Sequence, residues 1–270
     1  MSSPNKGTAL VTGASTGIGA IYADRLAHRG HNLILTARDA SRLNALAAKL
    51  RSATGVTVDV LPADLTTSAG RALVEQRLEQ DGNISLLLNN AGMAATGTLA
   101  ELDPATIETM IELNVTAVAR LAAAAARAFV ARKQGTIINV ASVLALAPEL
   151  FNGVYSGTKA FVLNLTQSMQ NELGPFGIQV QAVLPGATRT EIWERAGTDI
   201  ANLPAERLMD VEEMVDAALA GLDAKEPITI PSLPNVADFH RFTQARLALG
   251  PNLSKNHPAA RYHTHETHVS

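Results

Sequence analysis

The chain has 270 residues, of which 47% are hydrophobic and 17% are charged, a composition typical of a globular protein with one or two domains. Its formal net charge of -3 provides no basic surface for nucleic acid or anionic lipid, and the lack of cysteine excludes disulfides and Cys-ligated metals. The N-terminus lacks the apolar stretch of a secretory signal, and no run approaches the ~18 consecutive apolar residues of a membrane span. We therefore expect a cytoplasmic protein without nucleic-acid or membrane partners.

The first part of the chain alternates short apolar runs with helical patterns. The runs at 8–12, 32–37, 56–61 and 85–89 predict strands, and the patterns at 18–29, 41–52 and 68–80 predict helices. Gly30 is suited to end the first helix and Ser41 to cap the second. The order of these elements indicates repeated strand–helix–strand units.

The alternation continues with a long helix over 104–133, broken near Asn114, a strand at 135–141, a helix at 153–173 and a strand at 178–184. Nearly all-apolar strands that alternate with helices are typical of a parallel sheet covered on both faces. No linker interrupts the series, so we predict a single-domain, doubly wound α/β fold over 1–250 and an irregular or disordered tail over 251–270. Phe239, Phe242 and Leu247 have helix-compatible spacing, and the segment from 235 onward would cover the pocket or a subunit contact.

A glycine-rich turn joins the first strand to the first helix. Within it, Gly13, Gly17 and Gly19 have the spacing G-x-x-x-G-x-G. Glycines let the backbone approach a pyrophosphate, and the first amides of a helix bind negative charge. The turn, which also contains Ser15, Thr16 and Ile18, therefore predicts a dinucleotide site. A glycine corner that serves only the tight strand–helix turn is the alternative.

The residue after the second strand bears on which dinucleotide is bound. An NAD site usually has an acidic side chain there for the ribose 2′-hydroxyl, whereas this chain has Ala37 followed by Arg38. Arg38 is suited to pair with a 2′-phosphate, which favours NADP(H) over NAD(H). A solvated surface arginine is the alternative. Asp64, followed by Leu65, is placed after the third strand to accept from an adenine amino group.

Tyr155 and Lys159 stand four residues apart, and Ser142 lies thirteen positions upstream of the tyrosine. On a helix, residues i and i+4 share one face. A cation about 4 Å from the phenol is worth about 4 kcal/mol at an effective dielectric of ~20, which would lower the tyrosine pKa from about 10 toward about 7. That pKa suits general acid–base catalysis near neutrality. A solvent-facing pair on an ordinary helix is the alternative.

Together these residues resemble the short-chain dehydrogenase/reductase family in its compact single-domain branch. The resemblance covers about 7–232 and includes Thr12 to Gly19, Asp64, Asn89-Asn90-Ala91-Gly92, Asn114, Ser142, Tyr155, Lys159, Pro185-Gly186 and Thr190. It implies a Rossmann-type parallel sheet of about seven strands, in a chain that assembles as a homodimer or homotetramer. It also implies reversible hydride transfer between NADP(H) and a carbonyl or alcohol substrate, without a metal.

The resemblance implies a role for each of these positions. Tyr155 would exchange a proton with the substrate oxygen, Lys159 would hold the nicotinamide ribose, and Ser142 would stabilise charge on the carbonyl oxygen. Asn114 would kink its helix and connect Lys159 to solvent. Further cofactor contacts would come from Asn90, Ala91 and Gly92 on the adenosine-ribose side, and from Pro185, Gly186, Thr188 and Thr190 around the nicotinamide. Alternatively, Asn114 only caps a helix and Ser142 only ends a strand.

The substrate side is expected after Ser142, around the 90–92 turn and after Pro185. These segments supply Val143, Leu144, Leu146, Glu149, Leu150, Phe151, Met93, Ala94, Ile192, Trp193 and Ala196. The side chains predict a mainly apolar pocket, under a lid over about 188–204, and hence a hydrophobic carbonyl substrate. Several of them could instead face the protein core.

Two other functions fit the same architecture. One is a regulator that senses NADP without turnover, and the other is an epimerase or dehydratase of sugar nucleotides. The full Asn114, Ser142, Tyr155 and Lys159 set argues against the sensor, and the length and glycine spacing argue against the epimerase. His257, His263, His265 and His268 crowd the end of the chain, where a polar tail is favoured over a metal site because carboxylates are scarce.

Overall fold

Seven parallel strands form one sheet in the computed structural model, which describes residues 6–197 and 204–262. The strand order is β3-β2-β1-β4-β5-β6-β7, which reverses direction between β1 and β4. The strands are β1 Thr8–Thr12, β2 Asn32–Thr36, β3 Val58–Val60, β4 Ile84–Asn89, β5 Gly135–Val140, β6 Ile178–Val183 and β7 Ile228–Thr229. The predicted Rossmann-type α/β fold is confirmed. Such a sheet binds ligands at the carboxyl ends of its strands, beside the point where the order reverses.

Helices cover both faces of this sheet. The helices of the described residues are α1 Gly17–His28, α2 Ala40–Thr54, α3 Ser68–Gln80, α4 Pro104–Ile111, α5 Val118–Arg132, α6 Gly153–Leu173, α7 Ile192–Arg195, α8 Val211–Asp223 and α9 Val236–Ala248. On one face, α1, α2 and α8 bury Tyr22, Leu43 and Met214 against the strands. On the other, α3, α5 and α6 bury Val74, Phe129 and Met169. The strands are apolar on both sides because both sides are covered.

The long helix predicted over 104–133 is interrupted where the sequence indicated. A π-helix, Glu112–Ala117, separates α4 from α5 and contains Asn114. The stretch Pro104–Arg132 is long and apolar enough to cross a membrane by length and composition, which the sequence reading did not expect. Leu121 and Phe129 of this stretch are buried against the sheet, as in the core helix of a globular protein.

The sequence reading missed or misplaced elements at the edges of the sheet. β3 covers three residues, whereas the predicted strand covered 56–61, and no strand was assigned to β7, which has only two. Runs this short are too brief to show a period of two, so pairing with a neighbouring strand decides them. β7 is held by pairing with Ala182 and Val183 of β6.

The chain divides into two compact units, Met1–Ser232 and Leu233–Ser270. The second contains α9, which realises the predicted helical spacing, with the rings of Phe239 and Phe242 5.9 Å apart. The single domain over 1–250 stays a prediction. Three of the four histidines of the C-terminal tail, His263, His265 and His268, and part of the predicted lid, 198–203, lie outside the described residues.

Candidate active site

The carboxyl edge of the sheet brings the predicted site residues to one side of the molecule. Each lies just after a strand or in a helix that packs there: Gly13, Ser15, Thr16, Gly17, Ile18 and Gly19 after β1, Arg38 after β2, Asp64 and Leu65 after β3, Asn90, Ala91 and Gly92 after β4, Asn114 in the π-helix, Ser142 after β5, Tyr155 and Lys159 in α6, and Pro185, Gly186, Thr188 and Thr190 after β6. In a parallel sheet these strand ends share one edge, so the arrangement follows from the topology.

The glycine turn is shaped for close approach of another group. Gly13 and Gly17 have φ values of +65° and +55°, which L side chains rarely adopt. A Cβ on Gly19 would lie 2.3 Å from the carbonyl oxygen of Gly13, so this position has no room for a side chain. The N-cap Thr16 makes no side-chain cap to the first turn of α1, which leaves its amides available. The turn therefore fits a pyrophosphate at a helix N-terminus.

Thr12 fastens this turn to the end of β4, a role that the sequence reading did not assign. Its Oγ1 donates to the carbonyl oxygen of Leu88 at 3.1 Å and accepts from the backbone amides of Asn90 at 2.9 Å and Ala91 at 3.0 Å. The Asn90 side chain returns a hydrogen bond from Nδ2 to the carbonyl oxygen of Thr12 at 2.9 Å. The sequence signal was a threonine at the end of an otherwise apolar strand.

The part of the site predicted to bind the adenosine end of the cofactor contains an exposed cation and a carboxylate that is fixed by hydrogen bonds. Arg38 is exposed after β2. Asp64 Oδ1 accepts from the Thr66 amide at 3.0 Å and the Thr66 hydroxyl at 2.7 Å. Burial alone would raise the pKa of Asp64, but the Thr66 hydrogen bonds and the charge of Arg38 outweigh it and lower that pKa. Arg38 and Asp64 are therefore near enough to interact, as a shared adenosine site requires.

A buried arginine supports the loop that contains Asp64 and Leu65. The Arg71 guanidinium donates to the carbonyl oxygens of Leu65 at 3.0 Å and Thr66 at 2.9 Å. Its Nη1 also lies 2.7 Å from a carboxylate oxygen of Glu112, in the π-helix. Arg71 is only 6% exposed, so the loop is fixed from inside the protein.

Tyr155 and Lys159 share one face of α6, as the spacing predicted. Lys159 Nζ lies 5.8 Å from the centre of the Tyr155 ring and donates to the carbonyl oxygen of Val140 at 3.0 Å. Tyr155 also forms a side-chain hydrogen bond with Ser142. The Asn152 side chain caps the start of the helix by accepting from the Tyr155 amide at 2.9 Å. Phenol, ammonium and hydroxyl thus form one cluster.

The pKa values of this pair differ from the value that charge alone predicts. Burial raises the pKa of Tyr155 to about 12, and the Ser142 hydrogen bond opposes that rise. Burial lowers the pKa of Lys159 to about 8. The tyrosine pKa near 7 expected from the sequence is therefore wrong for the protein alone. That expectation counted only the attraction of the cation and omitted the loss of solvation, which here raises the pKa.

Asn114 contacts both the turn after β4 and helix α6, which contains Tyr155 and Lys159. Its Oδ1 accepts from the Met93 amide at 2.9 Å, while Nδ2 donates to the carbonyl oxygen of Met93 at 2.9 Å and to Thr158 Oγ1 at 3.1 Å. A Cβ on Gly92 would lie 3.3 Å from Asn114 Oδ1 and 3.5 Å from Lys159 Nζ. Asn114 therefore lies beside the lysine and does more than cap a helix.

The resemblance implied that Asn89 supports the central strand, but the buried chain of hydrogen bonds that continues from it was not anticipated. Asn89 Nδ2 donates to Asn139 Oδ1 at 2.9 Å, and Asn139 Nδ2 donates to Thr166 Oγ1 at 3.0 Å. It joins β4, β5 and α6 beneath the site. The sequence signal for this chain of hydrogen bonds was one asparagine in each of two strands that are otherwise mainly apolar. A buried asparagine side chain needs a hydrogen-bond partner.

The segment after β6, residues 185–190, lies on the other side of the cleft. The carbonyl oxygen of Pro185 accepts from the Val143 amide at 3.0 Å and from Ser142 Oγ at 3.5 Å. Thr188 is buried and donates to the carbonyl oxygen of Gly186 at 3.1 Å. A Cβ on Gly17 would lie 3.3 Å from the Thr190 side chain, so this segment reaches the glycine turn.

Three segments distant in sequence form the predicted substrate side. Asn152 Nδ2 donates to the carbonyl oxygen of Ala95 at 2.6 Å, and Thr96 Oγ1 donates to the carbonyl oxygen of Ala196 at 2.7 Å. The Phe151 ring packs edge-to-face on Tyr155 with centres 5.5 Å apart. These contacts place an aromatic wall beside the phenol.

The other predicted substrate-side residues divide by exposure. Val143 and Leu146 pack against a buried cluster that includes Val162 and Leu184, so they belong partly to the core. Leu150 is 69% exposed. Met93, Leu144, Ile192 and Trp193 are half-buried, Ala94 and Ala196 are buried, and Glu149 is exposed. Within 6–197 and 204–262, no group of three or more His, Cys, Asp or Glu side chains is suited to hold a metal.

Known proteins show the same architecture. A solved short-chain dehydrogenase from Sphingobium yanoikuyae, in complex with NADPH, is 52% identical, with a TM-score of 0.92 over 95% of this chain and 100% of that one. An alcohol dehydrogenase from Comamonas testosteroni, specific for bulky-bulky ketones, is 48% identical, with a TM-score of 0.90 over 97% of this chain and 100% of that one.

A curated relative and a family model agree with these structures. An oxidoreductase from Staphylococcus saprophyticus is 31% identical over 223 residues, which are 82% of this chain and 93% of the relative. The family model for short chain dehydrogenases matches residues 7–201. The chain therefore belongs to the short-chain dehydrogenase/reductase family of oxidoreductases.

Proposed function

We propose that this protein reversibly reduces hydrophobic ketones with bulky substituents to secondary alcohols, with NADP(H) as cofactor. The observation that carries the proposal is the cluster of Ser142, Tyr155 and Lys159 at the carboxyl edge of the sheet, beside the glycine turn. A phenol and a hydroxyl that bond to each other can bond together to one carbonyl oxygen placed between them.

The residues of the cluster have distinct tasks in this proposal. When bound, the nicotinamide supplies or accepts the hydride. Tyr155 donates its proton to the substrate oxygen during reduction and accepts it during oxidation. Ser142 donates a hydrogen bond to the same oxygen. Lys159, fixed by the Val140 carbonyl, provides the cation that favours the phenolate left behind.

Asn114 has a supporting task. It holds the Met93 backbone through both atoms of its amide and lies beside Lys159. We propose that it fixes the turn after β4 beside the ammonium and so leaves a route by which the lysine exchanges protons with solvent.

The proposed preference for NADP(H) rests on Arg38. No acidic side chain follows β2 directly, and the exposed guanidinium is free to make charge-assisted hydrogen bonds to a 2′-phosphate. The solved relative from Sphingobium yanoikuyae, which shares 52% of its residues with this chain, is in complex with NADPH. Both observations support the same cofactor.

The proposed substrate class rests on the walls of the cleft. Phe151 lies against Tyr155, and Met93, Leu144 and Trp193 of the segments predicted to line the cleft are half-buried. The Comamonas testosteroni relative is an alcohol dehydrogenase specific for bulky-bulky ketones. An apolar cleft of this kind suits a ketone with a large apolar group on each side of the carbonyl.

The two alternatives lack comparable support. A sensor without turnover has no need of a phenol that bonds to a neighbouring hydroxyl. An epimerase of sugar nucleotides would need polar anchors for a second nucleotide, and the described walls are mainly apolar. Assembly as a homodimer or homotetramer and a cytoplasmic location remain part of the proposal.

One experiment tests the function directly. NADPH absorbance should fall with ketones that have two bulky apolar substituents, and much more slowly with acetone, small aldehydes or sugars. Turnover confined to polar sugars would overturn the substrate class. Absence of turnover with every carbonyl compound, together with tight NADPH binding, would favour the sensor.

A second measurement tests the cofactor. Arg38→Glu should weaken NADPH binding by about 10- to 100-fold, because a charge-assisted hydrogen bond is lost and a like charge is gained. NADH affinity should change little or improve. Equal affinity of the parent protein for NADPH and NADH would contradict the preference.

A further inference from the structure

The segment 186–197, here called the cleft strap, follows β6, includes the first part of the predicted lid and contacts several separate parts of the protein. One of them is Met209, whose amide donates to the carbonyl oxygen of Ala187 at 2.9 Å and whose carbonyl oxygen accepts from the Arg189 amide at 3.0 Å. Thr190 reaches Gly17 in the glycine turn. Glu191 binds Arg42 of α2, with Arg42 Nη1 at 2.9 and 3.2 Å from the two carboxylate oxygens. At the far end, Ala196 accepts hydrogen bonds from the Thr96 amide at 3.2 Å and hydroxyl at 2.7 Å. The strap therefore spans the cleft from the cofactor side to the substrate side.

Arg42 stands four residues after Arg38, but the two arginines have different surroundings. Arg42 is bound by the Glu191 carboxylate and lies 3.5 Å from Asp39. Arg38, by contrast, acts on Asp64 through its charge. With two carboxylates already beside it, Arg42 is poorly placed to serve mainly as a ligand for a further anion. The pair of arginines thus divides into one that faces the proposed 2′-phosphate and one that faces the strap.

We propose that Arg42 is a positioning residue that holds the cleft strap closed through Glu191 and thereby slows release of the dinucleotide. The inference rests on the proposed function, since it assumes that NADP(H) binds beneath the strap. Of the strap's contacts, that of Thr190 with Gly17 is apolar, that with Met209 is made by the backbone, and that of Ala196 with Thr96 lies on the substrate side. The ion pair is the strap's charged contact with α2, the helix that follows Arg38.

The exposure and position of the Arg42–Glu191 pair determine how much its loss should change the release rates of the two dinucleotides. Both partners are about half exposed, with 49% and 43% of their side-chain surfaces accessible, so solvent screens the pair and its loss should speed release only about two- to five-fold. The pair touches the strap and not the 2′-phosphate. NADPH and NADH should therefore be released faster by the same factor.

The single tryptophan supplies a readout that is independent of turnover. Trp193 lies in the strap, where its Nε1 donates to the carbonyl oxygen of Thr188 at 2.8 Å, and the chain has no other tryptophan. Its fluorescence in the full-length protein, followed by stopped flow while bound NADPH or NADH is displaced, reports release directly. The variants are Arg42→Ala, Glu191→Gln and the charge-swapped double variant Arg42→Glu/Glu191→Arg.

A matched control is available elsewhere on the surface. Arg127 of α5 binds Glu79 of α3 at 2.6 Å, with 64% and 43% of the side-chain surfaces exposed. Arg127→Ala should leave both release rates unchanged. Each single variant at the strap should speed both releases two- to five-fold, and the charge swap should return them toward the parent values.

Three results would overturn the inference. Release rates equal to those of the parent in both single variants would show that the Arg42–Glu191 ion pair does not hold the cleft strap closed. Faster release of NADPH alone in Arg42→Ala, with Glu191→Gln unchanged, would make Arg42 a phosphate ligand instead. A parent protein that binds neither dinucleotide would overturn this inference and the proposed function together, whereas the first two results leave the function intact.

Discussion

The two sides of the cleft are built in different ways. The cofactor side consists of a glycine turn without room for side chains and a threonine whose hydroxyl holds two strand ends together. The proposed substrate side consists of segments around 95, 151 and 196, joined by a few hydrogen bonds, most of them from side chains, to backbone carbonyls. The first is fixed by backbone geometry, and the second by a few replaceable contacts.

This difference indicates where the protein can vary. A pyrophosphate is the same in every dinucleotide, so the turn that binds it gains from a rigid backbone. Ketones differ in shape, and walls held by a few hydrogen bonds can be moved by one substitution without disturbing the sheet. Tyr155 lies where the two sides meet, with Ser142 bonded to it and Phe151 against its ring.

The largest effect is expected at that meeting point. Tyr155→Phe removes one oxygen and should lower kcat by about 10²- to 10⁴-fold, because the proton donor is lost. NADPH affinity, measured by fluorescence, should stay within about two-fold of the parent, since the ring and its contact with Phe151 remain. A Phe variant with near-parental turnover would remove Tyr155 from the chemistry.

The rigidity of the cofactor side can be tested by adding one methyl group. Gly19→Ala would place a Cβ 2.3 Å from the carbonyl oxygen of Gly13, and relief requires the backbone to move. We expect a loss of stability of about 1–3 kcal/mol or more and loss of measurable NADPH binding. Urea unfolding and a binding titration measure the two.

The control for this change lies in α6. A Cβ on Gly157 meets nothing within 4 Å, so Gly157→Ala should stabilise the protein by about 0.5–1 kcal/mol and leave NADPH binding unchanged. Equal behaviour of the two alanine variants would mean that the turn is less confined than its geometry indicates.

Lys159 makes stability depend on pH. Its pKa is lowered from 10.5 to about 8 by burial, so between these values the unfolded chain binds more protons than the folded protein. Stability should therefore rise with pH, by roughly 1.5 kcal/mol from pH 8 to 9.5. Tyr155, whose pKa is raised to about 12, acts in the opposite direction only as the pH rises above its ordinary value of 10.0.

Urea unfolding at a series of pH values measures this slope. Lys159→Met should abolish the rise, while Lys49→Met, at an exposed lysine of α2, should retain it. A parent protein whose stability is flat from pH 8 to 9.5 would show that the ammonium is better solvated than its burial implies.

The smallest effect is expected on the substrate side. Thr96→Val removes the hydrogen bond of the Thr96 hydroxyl to Ala196, keeps that of the Thr96 amide, and should cost only about 1 kcal/mol of stability. It should change KM for bulky ketones and leave NADPH affinity as in the parent, whereas Thr96→Ser should behave like the parent. A change in NADPH affinity that equals the change in KM would mean that the two sides do not act separately.

Particular residues show how far the sequence could be interpreted. The Tyr155–Lys159 spacing predicted a shared helix face, and the glycine spacing predicted the turn, because helix periodicity and backbone freedom act over a few residues. The break near Asn114 was also predicted. The tyrosine pKa was wrong, because it depends on how much solvent the folded chain removes from the phenol, and no local pattern reports that.

Contacts between segments that are distant in sequence could not be predicted either, because no local pattern reports them. Nothing in the order of residues joins Arg42 to Glu191 or Thr96 to Ala196, which are about a hundred or more positions apart. Such pairs meet only after the sheet has fixed its strand order. The two-residue β7 is likewise a strand only because it pairs with the edge of β6.

By itself, the sequence determined the alternation of strands and helices, the position of the cofactor turn, and which side chains are chemically able to exchange a proton. Those properties follow from periodicity, glycine and side-chain chemistry. The tertiary structure decided how strongly each group is desolvated, which carboxylate binds which arginine, and which apolar side chains face the cleft. These depend on burial and on through-space distance, which exist only once the chain has folded.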